Sequence, residues 1–196
     1  MEKSLSEMKI IEEPKKTLSM HPKKFAMWLF MGSVMMLFAS LTSAYIVRQA
    51  EGNWLYFELP ALFYYTTGMI VISSITMQWA YFAAKKNNVS LVKTLVIITS
   101  VLAVAFLVGQ FMAWGELVKH SIHLVGNPSG SFLYVITGLH GAHIISAVVF
   151  LLIVLNSAIK LRINSKNMAQ MEMCTTYWHF LGILWIYLFI FLLINR

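Results

Sequence analysis

The sequence contains no aspartate and one cysteine, and only 12% of its 196 residues are charged. Without aspartate, the chain cannot build a Ser-His-Asp triad or a magnesium site held by Asp. The single cysteine, Cys174, excludes an internal disulfide and a CxxC zinc or redox site. A soluble domain carries about twice this share of charged residues. These deficits argue against a soluble enzyme.

Hydrophobic residues make up 59% of the chain, and most are gathered into five long runs. The runs are Phe25–Val47, Leu59–Ala84, Leu91–Trp114, Phe132–Leu155 and Thr175–Ile194. Each has about 20 residues or more, the length with which a helix crosses the ~30 Å hydrocarbon layer. Because the runs are continuous rather than alternating, they predict helices. The predicted fold is an all-α membrane protein: a bundle of five transmembrane helices over 25–196, preceded by a polar basic tail over 1–24.

Basic residues are distributed unevenly between the two ends of the predicted helices. Twelve of the fifteen lie in the tail, the second loop region and the fourth loop, and the other three are Arg48, Lys119 and Arg196. Since Lys and Arg collect on the cytoplasmic side, this count predicts a cytoplasmic tail and a C-terminus on the opposite side. The charge of +7 then reflects topology and anionic lipid, so no nucleic acid partner is expected.

Polar side chains inside the predicted helices are candidates for function, because burial in lipid is costly. His140 and His143 lie three residues apart on one face of the fourth helix. Gly138, Ala142 and Ser146 form a row of small residues that is expected to let another helix approach closely. Three interpretations of the histidines are open: metal or haem ligands, proton carriers, or neutral hydrogen-bonding residues that join helices or meet a lipid headgroup.

Neutral hydrogen bonding is favoured among these interpretations. The sequence fixes no third metal ligand, because His179 lies on another helix, and no Glu or Asp lies in the central helices to complete a proton relay. Gln110, near the end of the third helix, is a further polar candidate. The loop over 115–130 contains His120 and His123, whose spacing resembles a weak metal site, but a solvated pair is favoured.

Several aromatic residues have positions that predict a role. Tyr177 and Trp178, near the start of the fifth run, fit an interfacial aromatic belt, and Trp114 fits an interface anchor. Trp185 lies too deep for the interface and is expected to pack against a partner helix.

Two blocks of the sequence match a known pattern. The first is Thr137-Gly138-x-His140-Gly141-x-His143, and the second is Tyr177-Trp178-His179-Phe180 followed by Trp185. Met27-Trp28-Leu29-Phe30 and Gly109-Gln110-x-x-x-Trp114 fit more loosely. Together they resemble subunit III of haem-copper terminal oxidases, with the closest likeness to bacterial cytochrome c oxidase, over about residues 25–191.

This resemblance implies the short, five-helix form of a subunit that has seven helices in many members. It implies a non-catalytic partner of oxidase subunits I and II that stabilises subunit I, holds membrane phospholipid and supports proton uptake. Haem and copper are expected in the partner subunits and no cofactor in this chain, and the expected location is the bacterial inner membrane. The residues expected to serve in helix packing, subunit contact or lipid contact are Trp28, Gln110, Trp114, Gly138, His140, Gly141, His143, Tyr177, Trp178, His179 and Trp185.

The sequence departs from the family pattern at three positions where relatives often carry an acid. These are Val34, Ala113 and Gly182, and the losses favour a scaffold over a proton carrier. A component of a quinol oxidase or nitric oxide reductase is an alternative, because the electron donor is recognised by other subunits. A stand-alone transporter is disfavoured, because no repeat or interrupted helix is evident. Membership of a respiratory supercomplex is left open.

Overall fold

A computed structural model describes residues 22–160 and 168–195, which fold into five α-helices without any strand in these ranges. The helices are α1 (Pro22–Ala50), α2 (Leu62–Lys85), α3 (Val89–Lys119), α4 (Pro128–Ile159) and α5 (Ala169–Ile194). The predicted all-α membrane fold with five helices is confirmed. The predicted tail lies outside the described residues except for 22–24, which already belong to α1. Arg162, Lys166 and Arg196 also lie outside them.

Four of the helices form a closed ring, and α1 lies outside it. In this four-helix ring, α2 packs against α3, α3 against α4, α4 against α5, and α5 back against α2. Within the described residues, α1 packs only on α4 and α5. α1 therefore covers the seam between these two helices.

Polar caps, rather than the limits of the apolar runs, decide where α3 and α4 begin. Asn88 accepts a hydrogen bond from the backbone N–H of Leu91 at 3.2 Å and starts α3. Asn127 starts α4 in the same way, and Pro128 takes the first helical position, where its missing N–H costs nothing. α5 begins at Ala169, well before the predicted run at Thr175. Most helices are therefore longer than the runs predicted.

Asn127 also fastens the α1–α2 connection to the start of α4. Its Oδ1 accepts hydrogen bonds from the backbone N–H groups of Ser129 at 3.0 Å and Leu55 at 3.3 Å. Its Nδ2 donates to the carbonyl oxygen of Asn53 at 3.1 Å. The Ser129 hydroxyl adds a bond to the Leu55 carbonyl oxygen at 2.7 Å. This connection is therefore tied to a helix terminus.

Charged side chains collect at the two ends of the bundle. One end, the lysine end, carries Lys23, Lys24, Lys85, Lys86, Lys93 and Lys160. Glu172 is the one carboxylate that the described residues place there, and it forms a salt bridge with Lys24 that joins α5 to α1. The other end, the glutamate end, carries Glu51, Glu58 and Glu116 together with Arg48 and Lys119.

Length and composition qualify four of the described helices to cross a membrane: α1, α3, α4 and α5. α2 has the length but not the composition, because Ser, Thr and Gln interrupt its apolar residues. The outward face of α2 is nevertheless apolar, with Ile72, Ile75 and Trp79 exposed. α2 thus presents to its surroundings the kind of surface that lipid covers.

Candidate functional site

Aromatic and imidazole rings from all five helices meet in the bundle. Phe63 of α2, Phe106 of α3, His140 of α4 and Trp185 of α5 are fully buried. The ring centroid of Trp185 lies 6.1 Å from that of Phe63 and 5.0 Å from those of Phe106 and His140. Phe38 of α1 lies over the α4–α5 seam, with its centroid 6.3 Å from His140. These five residues are the aromatic cluster.

Trp185 packs against helices of its own chain. Its indole N–H donates a hydrogen bond to the Thr67 hydroxyl of α2 at 3.0 Å, and its side chain is fully enclosed. A residue with no exposed surface cannot touch a neighbouring subunit. The partner helices of Trp185 are therefore α2, α3 and α4, and any effect of this residue on assembly is indirect.

His140 lies at the centre of the aromatic cluster. It is fully buried, and neither ring nitrogen has a hydrogen-bond partner within the described residues. Its neighbours are the rings of Phe38, Phe106 and Trp185. Within the described residues, His140 thus packs against aromatic rings, and the hydrogen bond that the favoured interpretation expects has no partner there.

His143 has a different environment from His140. Its Nδ1 lies 2.7 Å from the Leu139 carbonyl oxygen one turn earlier, so this nitrogen carries the proton and donates. Its ring lies 6.2 Å from Phe30 and 5.7 Å from Phe38, both on α1. His143 is half-buried at the α1–α4 contact, whereas His140 lies inside the bundle.

Tyr177 and Trp178 are buried, so the prediction that they form an interfacial belt is wrong. The physical reason is the early start of α5 at Ala169, which places both residues more than one turn inside the helix. The Tyr177 hydroxyl oxygen lies 2.8 Å from that of Ser146 on α4. The Trp178 indole N–H donates to the Ser73 hydroxyl on α2 at 3.2 Å. Both residues join α5 to its neighbours in the ring.

Two glutamine side chains also bridge helices. His179 on α5 donates from Nε2 to the Oε1 of Gln78 on α2, 2.9 Å away. Gln110 on α3 donates from Nε2 to the Thr66 hydroxyl on α2 at 3.0 Å. The Oε1 of Gln110 is buried without a partner among the described residues. Both bonds converge on α2.

Trp114 joins α3 to α4, and its role as an interface anchor stays a prediction. Its indole N–H donates to the Thr137 hydroxyl at 3.1 Å, and the side chain is half-buried. A Cβ added at Gly138 would lie 3.6 Å from the Trp114 ring, so this glycine borders the indole. A Cβ at Gly141 would meet only the Leu107 side chain, at 3.9 Å, which is an ordinary contact.

The small-residue row of α4 meets neighbouring helices at its two ends, where Gly138 borders Trp114 of α3 and Ser146 lies within hydrogen-bond distance of Tyr177 of α5. Ala142 and Ser146 are exposed, because the buried face of α4 runs through His140, Ile144 and Ala147 instead. Trp28 on α1 is also exposed, with 56% of its surface accessible. The outer surface of α1 and α4 therefore includes these residues.

The three residues that depart from the family pattern all lie at buried packing positions. Val34 and Ala113 are buried, and so is Gly182. A Cβ at Gly182 would lie 3.0 Å from the Ser74 hydroxyl oxygen, which is a tight approach between α5 and α2. The residues present at these positions therefore serve helix packing.

His120 and His123 are exposed, and the buried Ile122 lies between them. Among residues 22–160 and 168–195, no group of three or more His, Cys, Asp or Glu side chains is placed to hold a metal ion. The exposure of both histidine side chains agrees with the solvated pair that the sequence favoured.

Sequence reasoning missed the polar side of α2. Thr66 and Ser73 are seven residues apart, as are Thr67 and Ser74, and this spacing returns a helix to the same face after two turns. Gln78 was also missed. The hydroxyl spacing was the available signal, because polar residues on one face of an apolar helix indicate where its neighbours pack.

Residues 53–195 match the family model described as cytochrome c oxidase subunit III, which spans α2 to α5. The chain is 29% identical over 170 residues to cytochrome c oxidase subunit 3 of Corynebacterium diphtheriae, covering 83% of this chain and 82% of the relative. It is 31% identical over 174 residues to a probable cytochrome c oxidase subunit 3 of Nocardia farcinica, with 82% of each chain covered.

A probable quinol oxidase subunit 3 of Staphylococcus saprophyticus is 26% identical over 172 residues, with 85% of each chain covered. The helices and these bacterial relatives identify a multi-pass bacterial membrane protein. Because the family match extends over most of the chain, the protein belongs to the cytochrome c oxidase subunit III family.

Proposed function

We propose that this chain is the accessory subunit III of a haem-copper respiratory oxidase and has no catalytic centre of its own. The observation that carries the proposal is the use of its intramembrane polar groups. Trp178, His179 and Gln110 each bond a side chain of α2. Such bonds join helices, whereas a reaction site needs acid, base or metal-binding groups that converge on one point. Haem and copper then belong to subunits I and II, and this chain stabilises subunit I and supports its proton uptake.

The distribution of charge supports a cytoplasmic N-terminus in the bacterial inner membrane. Among residues 22–160 and 168–195, the lysine end has six lysines against Glu172, whereas the glutamate end has three glutamates against Arg48 and Lys119. Because positive residues are retained in the cytoplasm, the lysine end faces inward and the C-terminus faces the opposite side. Anionic headgroups contribute about 1 kcal/mol for each lysine near the surface.

A groove between α1 and the start of α4 supports phospholipid binding. It has a volume of about 720 Å³, and its walls include Ala44, Val47 and Phe132. Arg48 borders the same groove near the glutamate end. An acyl chain suits the apolar walls, and the Arg48 guanidinium, which also forms a salt bridge with Glu51 of the same groove at 3.3 Å, can offer its remaining N–H groups to a phosphate oxygen.

Purification through a tag on this chain, in mild detergent, tests the proposed function. We expect subunits I and II to co-purify with haem and copper, and we expect the separated chain to show no haem absorbance. Mass spectrometry identifies the subunits, and the visible spectrum identifies the haems. Recovery of the intact chain without oxidase subunits, or a Soret band retained by the separated chain, would contradict the proposal.

A quinol oxidase is the second candidate complex, because the Staphylococcus saprophyticus relative carries that name. The electron donor separates the two candidates. A purified complex that consumes oxygen with a reduced quinol and not with reduced cytochrome c is a quinol oxidase, and the opposite preference identifies a cytochrome c oxidase.

A further inference from the structure

Every Ser, Thr and Gln side chain of α2 is turned towards a neighbouring helix. The six residues are Thr66, Thr67, Ser73, Ser74, Thr76 and Gln78, and none of them is exposed. The exposed positions in the middle of α2 are apolar, as at Val71, Ile72 and Ile75. α2 is therefore polar inside and apolar outside, the reverse of a surface helix in a soluble protein.

α3 contacts two of these six side chains. The Thr66 hydroxyl accepts the bond from Gln110, and the hydroxyl oxygens of Thr76 and Thr99 lie 2.8 Å apart. The backbones approach closely at Gly109, where an added Cβ would collide with the Thr66 methyl group. α2 and α3 are joined by the short connection over 86–88, so they meet as an antiparallel hairpin.

α5 contacts the other four side chains. The pairs are Thr67 with Trp185 at 3.0 Å, Ser73 with Trp178 at 3.2 Å, Gln78 with His179 at 2.9 Å, and Ser74 with the close approach at Gly182. α5 is the last helix in the chain, so these partners are the last to be synthesised.

The glutamine depends on its neighbour more than the hydroxyl groups do. The hydroxyls of Thr66, Thr67 and Ser73 also donate to carbonyl oxygens of α2 itself, at 2.7 to 3.1 Å. These three hydroxyl groups therefore keep an acceptor for their own proton even without a neighbouring helix. Within the described residues, the Gln78 side chain bonds only His179. An amide left without a partner in hydrocarbon is costly, so Gln78 is the residue most sensitive to the loss of α5.

We infer that α3 and α5 keep α2 across the membrane, and that α2 is not retained by its own hydropathy. α2 can therefore leave the membrane until α5 packs against it. Two observations support this: all six polar side chains of α2 point inward, and these same residues make α2 less apolar than the other four helices. Lys85 and Lys86 favour retention of the α2–α3 connection at the cytoplasmic side, but they pair none of the polar groups of α2.

The test uses the full chain with one reporter cysteine. Cys174→Ser removes the native thiol, and Ser90→Cys places a thiol at an exposed position beside the α2–α3 connection without removing a charge. A membrane-impermeant maleimide applied to intact cells labels this cysteine only in chains whose α2 has failed to cross. Complete labelling of the parent chain would contradict the proposed orientation, and inside-out vesicles would then provide the equivalent measurement.

His179→Leu leaves the Gln78 amide without its partner. We expect labelling to rise about threefold to tenfold, the range that corresponds to one intramembrane hydrogen bond. Adding Gln78→Leu removes the unpaired amide and should return labelling to the parent level. Ile75→Ala, on the exposed face of α2, is the matched control and should leave labelling unchanged.

Two results would overturn the inference. One is unchanged labelling in the His179→Leu chain, and the other is a rise that Gln78→Leu does not reverse. If the cell degrades the His179→Leu chain, the amount of membrane-embedded protein becomes the measurement. Recovery of that amount on adding Gln78→Leu supports the inference, and failure to recover contradicts it.

Discussion

The indole nitrogen of Trp178 lies 3.2 Å from the hydroxyl oxygen of Ser73, and both side chains are almost completely buried. Ser73 also donates to the Ile70 carbonyl oxygen at 2.7 Å, so its hydroxyl is satisfied as a donor without Trp178. The contact therefore combines one replaceable hydrogen bond with the burial of a large aromatic side chain. Those two contributions differ in magnitude and can be measured separately.

Trp178→Phe should destabilise the chain only slightly, by about 0.6 kcal/mol, the mean for an intramembrane hydrogen bond. Trp178→Ala removes the ring as well and should cost about 3–5 kcal/mol, because a cavity remains at the α2–α5 contact. Thermal unfolding of the purified protein in one detergent measures both variants. Equal losses for Phe and Ala would show that the hydrogen bond, not packing, dominates at this contact.

His140→Leu should leave the stability of the chain unchanged or raise it. Both ring nitrogens of His140 are buried without partners among the described residues, and an apolar side chain of similar size removes that desolvation penalty. The thermal unfolding midpoint is the measurement. His140→Ala is the control, since it leaves a cavity beside Trp185 and should lower the midpoint. A marked loss of stability in His140→Leu would reveal a bonding partner for the imidazole, such as a buried water molecule.

Gly109→Ala should destabilise the α2–α3 hairpin by about 1–3 kcal/mol, the usual cost of overpacking. The added Cβ would collide with the methyl group of Thr66. The hydroxyl oxygen of the same residue accepts the bond from Gln110. Gly115→Ala on the same helix is the matched control, because an added Cβ there meets nothing within 4 Å. Thr66→Ser in the Gly109→Ala background removes the colliding methyl group. Failure of that second change to restore the unfolding midpoint would place the strain elsewhere.

Asn127→Ala should release the α1–α2 connection and weaken the start of α4, at a cost of about 0.5–2 kcal/mol for the lost helix cap. Limited proteolysis is the measurement, and we expect an added protease to cleave the connection over 51–61 faster in this variant. Asn127→Asp keeps an oxygen acceptor for the Ser129 N–H but loses the donor to the Asn53 carbonyl. We expect cleavage of the Asp variant to be intermediate, and cleavage equal to that of the unaltered chain in both variants would contradict the proposed tie.

Long apolar runs are sufficient to predict that five helices exist, although hydropathy alone qualifies only four of the described helices, and not α2, to cross a membrane. Hydropathy does not predict where α5 begins, because Gln170 and Glu172 belong to the helix but not to the apolar run. That difference explains why Tyr177 and Trp178 were assigned to the interface while the structure buries them. Family resemblance identified the important motifs but not their contacts.

The direction in which a polar side chain points was the hardest feature to predict. His140 and His143 share one face of α4 by spacing, yet one is enclosed by the ring and the other meets α1. Their environments differ because Trp185 and Phe106 close around the first position only. Such differences depend on residues distant in sequence, and local periodicity carries no information about them.

The position of α1 limits which parts of the bundle depend on it. The family match begins at residue 53, after α1 has ended, and the ring of α2 to α5 closes without α1. Drift, extension or replacement of α1 therefore alters its contacts with α4 and α5, including the cover that Phe38 provides over His140, but no contact within the ring. A change in α1 is thus transmitted to the ring only through α4 and α5.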